Sequence, residues 1–332
     1  MKVMFFAHDP GGANAIKPLI PHFDNPLVFA KGPALRILPN AKELPLNALS
    51  LFSPNFLVTG TSANDFTERN LWQEADTFLI PSMAILDSWV SYGIRFSSYG
   101  IKDLHLFKGV CEYLPNYICV MDDFAKMEMT KEGVPKDRIV PLGNPHFEAI
   151  AMAAEQALSQ NHDRRVILFA SEPFEDIYHK GAEQMAVRDL IKIAKPYEDV
   201  IVRIRKHPRE PDEKYIDFLG SHVEMDTNTN PLVSIAQAEV VISVSSMMLI
   251  EALIFGKKII SYQPKSKNGK DDFILTRNST LPFLQNIEAL NTYFTQVMDG
   301  HVGKINNKIT HHGIIHKIVS FIKERCNGHI SD

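Results

Sequence analysis

Two stretches in the second half of the chain carry the side chains best suited to chemistry. In RIRKHPRE, Lys206, His207 and Pro208 follow directly on the apolar run DVIVRIR (199–205). Further on, VVISVSSMMLIEAL places Ser243, Ser245 and Ser246 where an apolar run gives way to a helical pattern. The start of a helix has unbonded backbone N–H groups and the positive end of the helix dipole, so it attracts an anion. Serine hydroxyls add donors to phosphate oxygens. Glu251, near the first turns of the same helix, is a carboxylate that can accept both hydroxyls of a ribose. Lys206 and His207 offer a cationic or hydrogen-bonding partner for a phosphate leaving group. Each feature alone has an ordinary reading, as a helix cap, a dipole partner or a common dipeptide. Their order, each at the end of a strand, favours a site for a phosphorylated nucleotide.

These residues need a scaffold of strands and helices. KVMFFA (2–7), LVFA, NFLVTG (55–60), FLIPS with MAILD, and YICVMD (117–122) read as buried strands, being short, apolar and ended by turn residues. HDPGG reads as a loop before a helix from Ala13 to about Phe23, and Thr61, Ser62 and Asn64 offer caps for a helix to about Glu74. DDFAKMEMTKEG is a helix closed by Gly133. Residues 146–164 form a connecting helix and linker. The alternation then restarts with VILFAS (166–171), a helix over 180–196, DVIVRIR, HVEM, PLVSIAQA, EVVISVS and KKIISY. Strands alternating with helices imply parallel sheets covered on both faces. The expectation is an α/β protein of two Rossmann-like domains, residues 1–150 and 164–305, with parallel sheets facing across a cleft. A C-terminal helix over 306–332 should pack back on the first domain. That helix is apolar on one stripe and basic elsewhere, so contact with an anionic membrane surface is the second expectation for it.

The order KHP, then SVSS, then a Glu-Ala pair and a following glycine, resembles the nucleotide-binding half of GT-B glycosyltransferases. It is most similar to bacterial transferases that use CMP-activated sugars, the sialyltransferase-like and Kdo-transferase-like families. His207, Pro208, Ser245 and Ser246 match the His-Pro and Ser-Ser motifs that contact the CMP phosphate there. CDP-glycerol glycerophosphotransferases have a similar arrangement, and UDP-N-acetylglucosamine 2-epimerases share the layout and the Glu-Ala pair. The resemblance covers roughly residues 166–262 well and the first half loosely. It implies an inverting, metal-independent transfer from a nucleotide sugar, with a CMP-sugar acid favoured, to a glycan or lipid-linked acceptor of a bacterial surface polymer. His207, Ser245 and Ser246 would stabilise the departing phosphate. Ser171 and Glu172, after the first strand of the second half, lie where the nucleotide sits in this fold.

Such a transfer needs a carboxylate to take the acceptor's proton. The acidic-Gly motif of the CMP-sugar enzymes has no clean copy here. The nearest equivalents are Asp87 in AILDSW and Asp9 in AHDPGG, with His8 adjacent and Gly11 and Gly12 letting a phosphate or sugar approach the backbone. TGTS (59–62) could line the acceptor side, Gly143–Asn144–Pro145 reads as a structural turn, and residues 263–275 form a charged loop. An epimerase or hydrolase of UDP-N-acetylglucosamine is the alternative, and the first half shows no clear set of several acids and bases for it. A non-catalytic nucleotide-sugar-binding protein is a third reading.

Composition removes other classes. The chain's 332 residues exceed what one core usually supports. A net charge of −4 excludes nucleic-acid binding by bulk electrostatics. Cys111, Cys119 and Cys326 match no zinc pattern and no disulfide framework. No run of about 18 apolar residues occurs. A cytoplasmic protein is expected, at most peripheral to the inner face of the membrane. No metal site is expected: Asp122–Asp123 starts a helix, and His312 and His316 lack a third ligand. The reading calls for no cofactor.

Overall fold

β1 (Val3–Ala7) is VMFFA, with all five side chains buried, as a strand covered on both faces requires. The computed structural model describes residues 1–156, 164–173, 181–266, 271, 273–302, 305, 309 and 311–328. The chain divides into two units, Met1–Ala149 with Ile309–Asp332, and Ile150–Lys308.

In the first unit β1 is followed by α1 (Pro10–Ile16), β2 (Leu27–Ala30), α2 (Ala48–Phe52), β3 (Phe56–Thr59) and α3 (Thr67–Thr77). Then come β4 (Ser82–Ile85), β5 (Tyr117–Cys119), α4 (Asp123–Lys131), β6 (Ile139–Val140) and α5 (Pro145–Gln156), whose last residues enter the second unit. The strands among the described residues form one parallel sheet in the order β2-β1-β3-β4-β5-β6. The order reverses between β1 and β3, the point at which open α/β sheets leave a crevice at their carboxyl ends. The backbones that leave these two strands touch there. A Cβ at Gly60 would lie 2.7 Å from Gly12 Cα, so both positions exclude a side chain.

The second unit repeats the plan with β7 (Arg165–Ala170), α6 (Ala182–Ala194), β8 (Val200–Arg205), β9 (Val223–Met225) and α7 (Pro231–Gln237). It continues with β10 (Val240–Ser243), α8 (Met247–Ile254), β11 (Lys258–Ser261), α9 (Ile274–Arg277) and α10 (Ile287–Met298). Its parallel sheet has the order β11-β10-β7-β8-β9, which reverses between β7 and β10. Phe169, Val187, Leu190, Ile204, Ile242, Ile260 and Phe294 close the core on one face.

α11 (Ile314–Gly328) belongs to the first unit. Ile314, Ile318, Val319, Ile322 and Cys326 join Phe5, Val58 and Ile85 in one core. The Glu148 carboxylate receives the N–H groups of Gly313 and Ile315 at 3.0 and 2.7 Å, satisfying donors that a helix start leaves open. Among the described residues no helix is long and apolar enough to cross a membrane.

Several expected boundaries move. HDPGG is not a loop: α1 begins at Pro10, the position proline favours, so Gly11 and Gly12 lie in its first turn. The helix expected to reach Phe23 ends at Ile16 and continues as a 3-10 turn over Lys17–His22 containing Pro18 and Pro21. FLIPS is not a strand, because Leu79 turns the chain with φ 55° and β4 starts at Ser82. Ser62 Oγ accepts the N–H groups of Asn64 and Asp65 in a turn, and α3 starts later, at Thr67. α10, capped by Asn286, has no counterpart among the expected elements. Part of the expected linker (157–163), and 267–270 and 272 of the charged loop, lie outside the described residues.

Gly60→Ala is expected to lower the unfolding free energy by about 1–3 kcal/mol, because two backbones would have to part. Urea unfolding checks it, and an unchanged midpoint would contradict the close approach.

Candidate functional site

Each unit gathers charged and polar groups at the reversal of its strand order. In the first, His8 and Asp9 leave β1 and Gly60 to Ser62 leave β3. His8 Nδ1 lies 2.8 Å from Asp9 Oδ1, and its Nε2 lies 3.6 Å from Asp65 Oδ2. Lys31, at the end of β2, pairs with the same Asp65 oxygen at 2.8 Å. Burial raises the Asp65 carboxyl, but hydrogen bonds from Lys31 and Thr67 outweigh it and hold the group below its ordinary value. Gly32, with φ 58°, makes room for the His8 ring: a Cβ there would stand 2.7 Å from Nε2.

Glu68, in the first turn of α3, is 1% exposed. Its Oε1 accepts the His8 N–H at 3.0 Å, and Oε2 meets no donor among the described residues. Burial pushes this carboxyl up to about 8, and the nearby Asp9 and Asp65 add to the rise.

Asp87 follows β4 on the same edge. Its Oδ1 pairs with Arg95 Nη1 at 2.8 Å, and its Oδ2 fills the space a side chain on Gly11 would need, 1.8 Å from that Cβ position. Arg95 also donates to Thr61 Oγ1 at 2.9 Å and Ser88 Oγ at 2.9 Å. The segment carrying Arg95 is irregular and is fixed by Arg69 of α3. The buried Arg69 guanidinium donates to the carbonyl oxygens of Ser62, Ile94, Arg95 and Tyr99 and lies over the Phe66 ring. The structure therefore brings Asp9, Gly11 and Asp87 together. The glycines do so by admitting protein atoms: Asp87 beside Gly11, and Gly60 beside Gly12. Thr59 of the TGTS stretch accepts the Trp72 indole N–H at 2.9 Å. Asn144 caps the turn before α5 through His146 N–H at 3.0 Å.

In the second unit Ser171 and Glu172 leave β7 and the serines leave β10. Glu172 Oε2 accepts the Ser245 N–H at 2.8 Å and lies 3.3 Å from Ser243 Oγ. A protein carboxylate thus sits on one of the donors expected to receive phosphate. Burial pushes Glu172 up to about 8, with Glu183 and Glu210 adding to the rise. Ser243 Oγ is bonded to the Ala170 carbonyl at 2.6 Å, a bond that joins the two strands. Ser246 caps α8, its Oγ accepting the Met248 N–H at 3.3 Å. Glu251 is half-buried one turn further along α8. His207 and Pro208 stand at the end of β8, Pro208 exposed and His207 half-buried. His207 Nδ1 accepts the Arg209 N–H at 3.1 Å, which leaves the proton of the neutral ring on Nε2. Burial, with Arg209, Lys206 and Lys214, lowers the imidazole to about 4, so at neutral pH it is a hydrogen-bond donor and not a cation. Lys206 turns away from the helix start: its ammonium meets the Glu210 carbonyl at 2.7 Å and Asp212 at 3.0 Å.

Sequence reasoning missed Lys31, Asp65, Glu68, Arg69 and Arg95 in the first unit and Glu210 and Lys214 in the second. Glu68 reads in sequence as any first-turn acid. The one available signal was Glu210 in HPREP, an acid three residues after His207 between prolines. Among the described residues no group of three or more His, Cys, Asp or Glu is placed to hold a metal ion.

Two Rossmann-like units with parallel sheets define the GT-B fold. No protein-family model and no curated protein matches the sequence. Solved structures match over the whole chain. UDP-GlcNAc 2-epimerase from Neisseria meningitidis, bound to UDP-GlcNAc, is similar at 16% identity and a TM-score of 0.69, covering 98% of this chain and 100% of that one. S. aureus MnaA with UDP is similar at 15% identity and a TM-score of 0.71, covering 98% and 97%. A glycosyltransferase from Rickettsia africae is similar at 12% identity and a TM-score of 0.63, covering 98% of each chain. At these identities the likeness shows the fold.

The raised carboxyls have a consequence for stability. In the unfolded chain Glu68 and Glu172 titrate near the ordinary 4.5, and in the fold near 8. The folded state binds more protons in that window, so stability is fully present below about 4.5 and is lost as pH rises towards 8. His207 acts oppositely, adding stability as pH rises from about 4 to 6.5. Glu68→Gln should therefore gain on the parent protein as pH rises from about 5 to 8. Urea midpoints across that range check it, and parallel curves for the two proteins would contradict the assignment.

Proposed function

We propose that the protein acts on a UDP-activated N-acetylhexosamine and inverts its C2 centre, as the name UDP-GlcNAc 2-epimerase describes. The observation that carries this reading is the group of acids and bases at the strand-order reversal of the first unit. A transferase needs one general base there. Inversion at carbon needs groups that remove a proton from one face and return it to the other. Asp9 with His8, Glu68 kept largely protonated at neutral pH, and Asp87 paired with Arg95 answer that need. The sequence alone shows no clear set of this kind in the first half, and the gathering of residues 9, 65, 68 and 87 at the carboxyl ends of β1, β3 and β4 supports the reading. The full-length likeness in fold to several UDP-GlcNAc 2-epimerases points the same way.

The chemistry can be written from the substrate. The C2 hydrogen of a pyranose has no carbonyl beside it, so its proton leaves readily only as the C1–O bond to the diphosphate breaks. A carboxylate takes the proton, the electron pair forms a C1–C2 double bond, and UDP departs with the C1–O electrons. Reversal with the proton delivered to the opposite face gives the epimer; escape of UDP leaves the C1–C2 unsaturated sugar, and addition of water to that double bond in place of UDP gives net hydrolysis. We assign proton removal and return to Asp9 and Asp87. The second unit would hold the nucleotide. There the Ser245–Ser246 turn and the His207 Nε2–H would stabilise the departing diphosphate, and Glu251 would accept the ribose hydroxyls. Glu172 must yield the Ser245 N–H to a phosphate oxygen, or share it while protonated.

Transfer from a CMP-sugar acid to a glycan or lipid-linked acceptor is the second reading. It is supported by the His207–Pro208 and Ser245–Ser246 motifs and by the likeness to the R. africae glycosyltransferase.

Incubation with UDP-GlcNAc in D2O, without any acceptor, separates the two. Deuterium at C2, monitored by NMR, is the expected result. Inert UDP-GlcNAc with consumption of a CMP-sugar only when acceptor is added would establish the transferase. Asp87→Asn is expected to lower kcat for exchange by roughly 10²–10⁴-fold, the usual contribution of a positioned acid–base group. Wild-type exchange rates in that variant would contradict the role given to Asp87.

A further inference from the structure

We infer that Glu210 is the positioning residue of the nucleotide site, fixing His207 in place and registering it against the Ser245–Ser246 turn. The inference rests on the proposed function for what His207 does, while the placement of His207 stands on geometry alone.

The Glu210 side chain is 3% exposed, and a carboxylate so far from water is tolerated only when its charge and lone pairs are met. Its two oxygens have separate duties. Oε1 receives the Lys214 ammonium at 2.6 Å and the Ser171 hydroxyl at 2.8 Å. Oε2 receives the backbone N–H of His207 at 2.7 Å. The Glu210 backbone closes the same turn, its N–H donating to the His207 carbonyl at 3.0 Å and its carbonyl receiving Lys206 at 2.7 Å. Lys214 is 6% exposed and also faces Glu183, and Tyr215 bonds Ser171 from the 3-10 turn that carries both residues (Asp212–Phe218). One buried anion thus joins the end of β7, the turn after β8 and the 3-10 turn beyond it.

The bond to Ser171 carries the link further. Ser171 adjoins Glu172, which holds the Ser245 N–H at the start of α8. The turn bearing His207 and the turn bearing the serines are therefore referenced to two neighbouring residues of one strand end. Lys214 meets the charge through Oε1 alone, and the donor that meets Oε2 is the His207 N–H. The bond to His207 N–H is what turns burial into placement.

The test uses two double variants, because removing Glu210 alone strands the buried Lys214 ammonium. E210A/K214M removes both charges and the acceptor. E210Q/K214M removes both charges and keeps an oxygen for the His207 N–H and an amide for Ser171. The readouts are the His207 titration by NMR, assigned with His207→Gln, and the kinetics of C2 exchange with UDP-GlcNAc. In the parent protein His207 titrates at about 4, and Lys206, Arg209, Glu210 and Lys214 are the charged groups facing it. Glu210 is the one among them that raises it. In a rigid turn, deleting Glu210 and Lys214 together would leave the value near 4. A freed turn lets the ring reach water and climb towards its ordinary 6.5. The expected result is that climb in E210A/K214M, with kcat down roughly 10²-fold, and recovery of both in E210Q/K214M. A His207 that still titrates near 4 in E210A/K214M overturns the inference. A climb that the glutamine variant reverses, in a protein whose parent form never exchanges C2, upholds the positioning role and removes the functional reading.

Discussion

Helices that leave neighbouring parallel strands for opposite faces of a sheet diverge, and the carboxyl ends of those strands are left uncovered. This constraint operates once in each unit, between β1 and β3 and between β7 and β10. The groups with chemical potential collect at these two openings. Asp9 and Thr61 flank the first, and Glu172 and Ser245 flank the second. In the first unit the opening is narrow because Gly12 and Gly60 bring two backbones into contact. That contact sets the distance from which Asp87, after the next strand, reaches across to Gly11.

Charges at both openings are held by buried or half-buried cations. Arg69 binds four carbonyl oxygens and thereby shapes the irregular segment that delivers Arg95 to Asp87. Lys214 neutralises Glu210, which holds the His207 turn. Removing either partner of such a pair exposes the other to an uncompensated burial, so the pairs are retained as units. Glu68 and Glu172, which form no ion pair among the described residues, behave differently. Both take up protons near neutral pH, so both can give and accept protons in that range.

Much of this was legible in the sequence. Short apolar runs marked β1, β3, β7, β8 and β10, and their alternation with helices implied two parallel sheets. The polar residues closing or following those runs and AIL (84–86) put Asp9, Asp87, Ser171, His207 and Ser245 at strand ends. Local spacing could not show pairings between distant residues. Asp87 with Arg95, His8 with Asp65 and Glu210 with Ser171 depend on sheet order, so the cluster of charged groups in the first unit stayed invisible and the CMP-sugar resemblance took precedence. Pro10 reads as part of a loop although proline favours a first helical turn, and Gly11 and Gly12 read as room for a ligand when packing uses them. The serine turn has the makings of an anion site, but its first occupant is the protein's own Glu172.

We propose that the second unit receives a uridine diphosphate. Thermal unfolding of the whole chain with UDP, CMP, CDP, GDP and ADP, one at a time, tests it directly. A ligand that binds only the folded state, at 100 times its dissociation constant, adds about 2.7 kcal/mol of stability. The expected result is an upward shift with UDP and none of that size with CMP. A shift with CMP alone, or with no nucleotide, would contradict it.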